Sequence, residues 1–429
     1  MKSIRVDLTV DDIPSKWYNI LPDLPTPLPA YKNSQTRETM SCLPNAFTKT
    51  ASNLEFAEER WIQIPEPVME AYVESGRPTP LIRAHHLEDF LKTPARIYYK
   101  CESLLPTGSF KANAALPQAY WAKKEGKCRT VVAGEAGVRT KFVHAFSARR
   151  FGIKSTIFLT RAECHKDKTE IFYLRDILEA EVIESPSTRT EIGRKTLAEN
   201  PNDQGSPKIR DAEVREEVIE NKDAVAVSSS FLNHVLMTQT IIGLELRTQL
   251  ELIGECPNLL VASTGSGSSL FGLIAPFVRE RVRGNLNVRF VGAESETSST
   301  LTTGVYEYTS RPGPFADILL KTSRSDWTIP PPLIRARGIQ TQTTAPILSL
   351  LRHLGLVDTR VYPSDEKAIM EAIRIFLCTE GCLLAPESAY TIRAVIDEAL
   401  EAKKKREKPT IVASVSATAF LDFGEKSTA

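Results

Sequence analysis

The chain has 429 residues, of which 42% are hydrophobic and 25% are charged. This length and composition are typical of a globular protein large enough for two domains, and they argue against a disordered or fibrous chain. Lys and Arg total 54 against 53 Asp and Glu, a formal net charge of +1, which leaves no broad charged field to hold nucleic acid or an anionic membrane.

The cysteines and the beginning of the chain bear on its compartment. The seven cysteines are scattered without a paired Cys-x-x-Cys spacing, a pattern that favours a reducing compartment over a disulfide framework or zinc site. Residues 1–7 lack the apolar core of a signal peptide. No uninterrupted apolar stretch approaches the roughly 18 residues that span a bilayer. We therefore expect a cytoplasmic protein without membrane or nucleic-acid partners.

The first 80 residues differ from the rest of the chain. Residues 21–29 are rich in proline, and proline lacks the amide donor that a helix or central strand requires. We predict an N-terminal arm with lead-in helices over residues 1–80.

Beyond residue 80, strand-like runs alternate with stretches of helical apolar spacing. The strand-like runs are residues 96–100, 130–133, 155–159, 180–183, 224–227, 259–262, 288–291 and 410–413. The helical stretches include residues 110–124, 138–151, 235–252, 268–282 and 388–404. The alternation predicts an α/β protein with two parallel-sheet domains, residues 81–235 and 236–429. Residues 297–344 have weak periodicity, and we interpret them as ordered loops over the mouth of a site.

One lysine lies where a small-polar loop meets a predicted helix, in the sequence Pro-Thr-Gly-Ser-Phe-Lys-Ala-Asn of residues 106–113. Ligands of parallel sheets bind beyond the carboxyl ends of strands, and Lys111 follows one such strand. A lysine there can form a Schiff base with pyridoxal phosphate, the cofactor that delocalises a carbanion next to an amino group. Alone, the motif is a weak signal, because most lysines after a turn are solvated helix starts.

A second motif, rich in glycine and serine, lies between the strand at 259–262 and the helix at 268–282. Glycines at such a turn let backbone amides point at a phosphate, and the positive end of the helix adds to the attraction. A Walker loop would end in Gly-Lys-Ser/Thr, and a dinucleotide fingerprint would have glycine at position 270, which is Leu270. The predicted phosphate-binding residues are Gly265, Ser266, Gly267, Ser268 and Ser269.

Together with motifs elsewhere in the chain, these residues resemble the tryptophan synthase beta chain family in its second, longer type. The motifs that carry the resemblance lie at residues 17–20, 77–84, 107–109, 115–120, 232–236, 300–302, 330–332 and 380–381. The resemblance implies the fold of the type II pyridoxal phosphate enzymes, with Lys111 as the Schiff-base lysine. It also implies a homodimer and a monovalent cation near Glu294, and it leaves open an alpha-type partner subunit.

The resemblance further implies cofactor contacts from Asn113, Glu380 and Ser416. Ser416 is expected beside the pyridine nitrogen of the cofactor. A neutral serine leaves that nitrogen unprotonated, which favours elimination and replacement at the β-carbon over transamination.

The chain departs from the family in the loop after the lysine helix. The family's Glu-Thr-Gly-Ala-Gly-Gln reads Ala-Gly-Glu-Ala-Gly-Val at residues 133–138, so Ala133 stands where the family has its proton-transfer glutamate. General acid–base help is worth roughly 100- to 10,000-fold. Glu135 is the candidate catalytic replacement, with a structural or substrate-contact role as the alternative. The predicted substrate-binding residues are Gly134, Glu135, Ala136 and Gly137.

Other departures also concern the substrate. Phe110 replaces a histidine of the family, residues 416–419 replace its Ser-Gly-His-Gly, and residues 338–343 have lost its Leu-Arg-Tyr-His. Retained cofactor motifs beside altered substrate motifs predict a paralogue adapted to another amino acid or another nucleophile.

Other candidate acid–base residues carry weaker signals. His144, His165 and His234 are single histidines on helical patterns, which are more often surface or hydrogen-bonded core residues. Glu387 and Asp422 are interpreted as helix-end or structural carboxylates, and no spacing predicts a divalent metal site.

Three functions follow from these residues. The first is a pyridoxal phosphate enzyme that eliminates the β-substituent of serine or a relative, through an aminoacrylate, and then adds a nucleophile. The second is a deaminase in which water meets the aminoacrylate and a keto acid leaves. The third is a non-catalytic member that binds the cofactor or a partner.

Overall fold

The computed structural model of the chain describes residues 5–133, 138–328 and 331–421. Its strands, in chain order, are β1 (Arg5–Val6), β2 (Lys16–Tyr18), β3 (Lys32–Asn33), β4 (Trp61–Gln63), β5 (Leu81–Arg83), β6 (Arg96–Cys101), β7 (Arg129–Ala133), β8 (Lys154–Thr160), β9 (Glu181–Ser185), β10 (Ala224–Ala226), β11 (Leu259–Ser263), β12 (Arg289–Ser295), β13 (Val305–Thr309), β14 (Ile318–Arg324), β15 (Asp358–Tyr362) and β16 (Thr410–Val415).

The α-helices cover both faces of the larger sheets. In chain order they are α1 (Lys49–Glu55), α2 (Glu66–Glu74), α3 (His85–Leu91), α4 (Ala112–Lys124), α5 (Val138–Arg150), α6 (Arg161–Lys166), α7 (Lys168–Phe172), α8 (Glu191–Glu199), α9 (Pro207–Glu220), α10 (Asn233–Gln239), α11 (Ile241–Leu252), α12 (Ser268–Val282), α13 (Thr300–Thr303), α14 (Pro346–His353), α15 (Lys367–Glu380) and α16 (Pro386–Lys405). In the described part of the chain, none is long and apolar enough to cross a membrane.

Two parallel sheets form the frame of the molecule. The larger sheet has the order β1-β5-β6-β16-β11-β12-β15, with β6, β16, β11, β12 and β15 parallel and β1 and β5 antiparallel at one edge. The smaller sheet, β10-β7-β8-β9, is parallel throughout. The predicted α/β class with two parallel sheets is confirmed. Helices cover these strands, so they are largely buried; in β11 every residue is.

The strands of the larger sheet come from both predicted domains. β5 and β6, which we placed in the domain of residues 81–235, pair within the larger sheet together with strands from the C-terminal half. The reason is that β16, the last strand, returns to lie between β6 and β11. A local alternation of strands and helices carries no information about such a return, and the division at residues 80 and 235 stays a prediction.

Residues 297–344 contain more regular structure than we expected. β13 and β14 form an antiparallel pair, and β3 adds a third strand. Alternating exposure along β13 matches a half-covered antiparallel strand, a period that is easily missed over five residues. The connection between β13 and β14 nevertheless lines the cavity described below.

The N-terminal segment packs on the body of the same chain. Trp17 and Ile20 are buried in the main hydrophobic core, and the ring of Trp17 lies 6.1 Å from that of Trp121 on α4. The backbone amide of Tyr18 donates to the Oγ1 of Thr240, between α10 and α11. This segment therefore braces the helix that begins after Lys111.

Candidate active site

A cavity of about 510 Å³ lies where strands of the two parallel sheets end. Its wall includes Ala133 at the end of β7, Ser263 at the end of β11 and Ser416 just after β16. Loops at the carboxyl ends of parallel strands are where α/β folds bind ligands. Lys111 and the whole predicted phosphate loop line the same cavity.

Lys111 is held at the cavity by the chain that precedes it. The amide of Phe110 donates to the carbonyl of Ser416 at 3.0 Å, and Ser109 forms a β-bridge with Ala417. The Nζ of Lys111 lies 5.9 Å from the centre of the Phe110 ring. These contacts tie Lys111, at the start of α4, to the end of β16 and so bring it into one wall with Ser416.

The glycine- and serine-rich turn has the geometry of an anion site. α12 is 15 residues long and begins at Ser268, directly after Gly267, whose φ is +96°. A β-carbon at Gly267 would lie 2.4 Å from Cδ2 of Leu348, and one at Gly265 would lie 2.6 Å from Cα of Ile339. Amides in the first turn of a helix have no partner within the helix, so they are available to a phosphate.

Ser416 is 3% exposed, and its Oγ lies 3.2 Å from the Oγ of Ser388 on α16. Ser388 also bonds the backbone amide and carbonyl of Ala417, both at 2.9 Å. The Ser416 hydroxyl is therefore fixed in position and uncharged. A glycine turn that no side chain can occupy, a helix start, a lysine and a neutral hydroxyl fit the phosphate, aldehyde and ring nitrogen of pyridoxal phosphate.

The structure places two of the predicted cofactor residues away from the cavity lining. Asn113 is 1% exposed, and its amide group bonds Arg77, Glu102 and Gln239 at 2.9–3.1 Å. Helical residues two positions apart do not share a face, so Asn113 points elsewhere than Lys111. Glu380 ends α15 and accepts the amide of Leu87 at 2.7 Å. Neither residue lines the cavity, and their contact with the cofactor stays a prediction.

The predicted substrate loop cannot be placed. Gly134, Glu135, Ala136 and Gly137 lie outside the described residues, as does Asp422. The flanking residues Ala133 and Val138 both line the cavity.

An ion pair that the sequence did not reveal lies in the cavity wall. The Nη1 of Arg139 lies 3.2 Å from the Oε2 of Glu387, and the other carboxylate oxygen accepts the amide of Gly338 at 2.9 Å. Glu387 does occupy a helix start, as we expected, but it also lines the cavity. Its signal in the sequence was only a glutamate in the first turn of α16.

The three histidines considered as acid–base candidates lie in different environments. His144 is buried, and its Nε2 lies 3.0 Å from the Oγ of Ser229; burial, with the nearby charge of Lys111, lowers the pKa of His144 to about 3. His234 bonds the carboxylate of Glu55 at 2.7 Å. His165 is exposed on α6. His144 is therefore uncharged at neutral pH and close to Lys111.

Charged side chains line much of the cavity, and basic ones outnumber acidic ones among the described residues. The basic residues are Lys111, Arg139, Lys141, Lys166, Arg210, Arg311, Arg324 and Arg337. The acidic residues are Glu163, Asp167, Glu170, Asp211 and Glu387. A cavity with this lining attracts anions, because an enclosed site concentrates the field of its charges.

The environment of Glu294 bears on the expected cation. Its carboxylate accepts the amides of Leu301 and Thr302 at 2.8 and 3.1 Å, and burial raises the pKa of Glu294 to about 7. Among the described residues, no group of three or more His, Cys, Asp or Glu could hold a metal ion. The cation stays an expectation from the resemblance.

Comparisons with known proteins show what the chain is similar to. The family model described as "Pyridoxal-phosphate dependent enzyme" matches residues 73–417. The tryptophan synthase beta chain of Pyrococcus horikoshii is 41% identical over 429 residues, covering 98% of this chain and 91% of that protein. The tryptophan synthase beta chain 2 of Aeropyrum pernix is 40% identical over 423 residues, covering 98% and 93%.

Solved structures share the fold at lower identity. The L-serine ammonia-lyase of the fungus Rhizomucor miehei has a TM-score of 0.58 at 18% identity and covers 82% of this chain and 98% of its own. The processed form of threonine deaminase isoform 2 from Solanum lycopersicum has a TM-score of 0.58 at 17% identity, covering 82% and 87%.

Proposed function

Because the chain belongs to the tryptophan synthase beta chain family of pyridoxal-phosphate-dependent enzymes, we propose that it performs β-replacement on L-serine or a related amino acid with an acceptor other than indole. The family, the fold, the cofactor and the enzyme class predicted from the sequence are confirmed by this membership. The observation that carries the altered acceptor is Ala133: a methyl group lines the cavity where the family has its proton-transfer glutamate.

Pyridoxal phosphate, when bound, supplies an electron sink for the pair left at the α-carbon of an amino acid. We assign the Nζ of Lys111 to the removal and return of the α-proton. The first-turn amides of α12 and the turn at Gly265 and Gly267 would hold the phosphate. The uncharged Oγ of Ser416 would face the ring nitrogen, which would favour chemistry at the β-carbon.

His144 does not compete with Lys111 for the role of acid. The pKa of His144 is lowered to about 3, so its imidazole is neutral at neutral pH and cannot act as an imidazolium acid. Its contact with Ser229 and its burial make it part of the packed interior. The proton that reaches or leaves the substrate is therefore assigned to Lys111, with Glu135 as the candidate second carrier.

The lining supports a polar acceptor. Indole carries no charge, whereas this cavity is lined by arginines, lysines and carboxylates, and charged groups are costly to desolvate without a partner. A polar lining is also compatible with water as the acceptor, so the deaminase reaction is the second candidate. A homodimer and an alpha-type partner subunit are carried forward as predictions from the family.

The test uses purified, cofactor-loaded protein with L-serine, with and without indole, and mass spectrometry of the products. Pyruvate without tryptophan is the expected result, since elimination precedes replacement. Tryptophan at a rate comparable to pyruvate would overturn the altered acceptor, and no turnover would overturn serine as the donor. Polar acceptors added to the same assay separate the two candidates: a new amino acid formed at the expense of pyruvate supports β-replacement, and pyruvate release that no acceptor reduces supports the deaminase.

A matched pair of variants links turnover to the assigned lysine. Lys111→Met is expected to reduce turnover by at least about 100-fold and to lose the covalently retained cofactor absorbance. Lys123→Met, at an exposed position near the end of the same helix, is expected to keep both. Equal behaviour of the two variants would contradict the assignment.

A further inference from the structure

The guanidinium of Arg311 lies against two aromatic rings at the cavity. It lies in the connection between β13 and β14 and lines the cavity. The guanidinium carbon is 4.5 Å from the centre of the Phe231 ring and 5.6 Å from that of Phe315. The Nη1 is buried, and no acceptor in the described part of the chain lies within hydrogen-bond distance of it.

Three other basic residues of the lining have ionic partners. Lys141 lies 2.5 Å from Glu170, and Arg210 lies 2.8 Å from Asp211. Arg139 is paired with Glu387, as described above. The carboxylates Glu170, Asp211 and Glu387 are thus engaged, and no ion pair of the described residues includes Arg311. Its charge rests on two aromatic faces alone.

Such an arrangement is typical of a binding group rather than a structural one. A buried donor without an acceptor is costly, and native proteins keep few of them. Aromatic faces hold a guanidinium in place by cation–π attraction while leaving its edge, where the N–H groups point, open to an incoming acceptor.

We propose that Arg311 binds a carboxylate of the substrate other than the α-carboxylate. A carboxylate fits better than a phosphate because one guanidinium balances one negative charge, whereas a phosphate dianion calls for further cations. The rings of Phe231 and Phe315 favour a carboxylate carried on an apolar or aromatic body. The inference rests on the proposed function, which requires two substrates, an amino-acid donor and an acceptor. The carboxylate belongs either to the acceptor or to the side chain of the donor.

Equilibrium binding tests the proposal without requiring turnover. Calorimetry with the cofactor-loaded enzyme measures the Kd of benzoate and of benzamide, its neutral isostere, as probes for the acceptor. The visible absorbance of the cofactor measures the apparent Kd of L-aspartate and of L-asparagine, as probes for the donor. Each measurement is repeated on Arg311→Met, on Arg311→Lys, which keeps the charge, and on Arg374→Met, an exposed arginine of α15.

The expected result is at least a tenfold preference for the acid over its amide in one of the two pairs. Arg311→Met abolishes that preference, Arg311→Lys keeps part of it, and Arg374→Met keeps all of it. A preference within the benzoate pair assigns the carboxylate to the acceptor, and one within the aspartate pair assigns it to the donor.

Three results would overturn the proposal. The first is equal affinity of the wild-type enzyme for acid and amide in both pairs. The second is a preference for the acid that remains in Arg311→Met. The third is an equal rise in the Kd of aspartate and of asparagine in Arg311→Met, which would assign Arg311 to the α-carboxylate. A failure to turn over L-serine would contradict the proposed function. The comparison of Kd values for acid and amide would still test the role of Arg311, because it measures binding and not turnover.

Discussion

Arg139 and Glu387 form an ion pair at 3.2 Å between positions 248 residues apart in the chain. Arg139 lies in the first turn of α5, which packs on the smaller sheet, and Glu387 in the first turn of α16, which packs on the larger one. The Glu387 carboxylate also accepts the amide of Gly338. The pair thus fastens the two sheets to each other at the cavity wall.

Glu387→Gln is expected to weaken this fastening. Glutamine keeps an acceptor for the Gly338 amide but loses the charge that meets Arg139, and a hydrogen bond to a charged group contributes about 1.5–3 kcal/mol. Urea denaturation should show a fall of that size in the free energy of unfolding. Glu371→Gln, at an exposed position on α15, is the control and should stay within about 0.5 kcal/mol of the wild type. Equal effects of the two substitutions would contradict the role of the pair.

Gly267→Ala is expected to weaken cofactor binding. The φ of +96° costs an L-residue roughly 1–2 kcal/mol, and the new methyl would collide with Cδ2 of Leu348 unless that side chain or the turn moved. The Kd of pyridoxal phosphate, measured by absorbance titration, should rise at least about tenfold, the equivalent of about 1.4 kcal/mol.

Gly284→Ala supplies the matched control for the phosphate turn. Gly284 also has a positive φ, +75°, but a β-carbon there meets nothing within 4 Å. The variant should lose stability without losing cofactor affinity. If both glycine variants lost affinity equally, the assignment of the phosphate turn would be wrong.

His144→Asn is expected to change how stability depends on pH. The pKa of His144 is lowered to about 3 by burial, whereas an unfolded histidine titrates near about 6.5. Below about pH 6.5 the imidazole is therefore protonated in the unfolded state but not in the folded state. As the pH falls from 7 to 5, this difference lowers the free energy of unfolding of the wild type by about 2 kcal/mol.

The asparagine variant has no imidazole to protonate. Its free energy of unfolding should therefore fall by about 2 kcal/mol less than that of the wild type between pH 7 and pH 5. Urea denaturation at pH 7 and pH 5 measures the difference. His165→Asn, at an exposed position, is expected to keep the wild-type loss. An unchanged pH dependence in His144→Asn would show that His144 is not held neutral in the folded protein.

Ala133→Glu is expected to increase the use of indole. The substitution puts a carboxylate in the cavity wall at the family's proton-transfer position, and such a group contributes roughly 100- to 10,000-fold. Tryptophan formation from L-serine and indole, followed by mass spectrometry, should rise by about 100-fold, the lower end of that range. Ala133→Gln, which has similar size and no charge, should show no gain. A gain in neither variant would contradict the alignment of this loop.

Much of the cofactor site could be predicted from the sequence because its signals are local. A turn such as that at Gly265 and Gly267 precedes a helix in the sequence as it does in space, and Lys111 is likewise marked by its own neighbours. Every strand-like run identified between residues 96 and 413 corresponds to a strand of the two parallel sheets. The apolar pattern of a buried strand reflects burial itself, whichever neighbour covers it.

The sequence by itself therefore determined the class of fold, the family and the cofactor, and it predicted the Schiff-base lysine. Only the tertiary structure decided that β16 lies between β6 and β11, that Asn113 turns away from the cavity, and that Glu387 reaches Arg139. It also decided that Arg311 lies against two aromatic rings, with a buried donor that meets no acceptor among the described residues. The physical reason is that these relationships join residues far apart in the chain, and neither periodicity nor turn chemistry encodes which distant side chains meet.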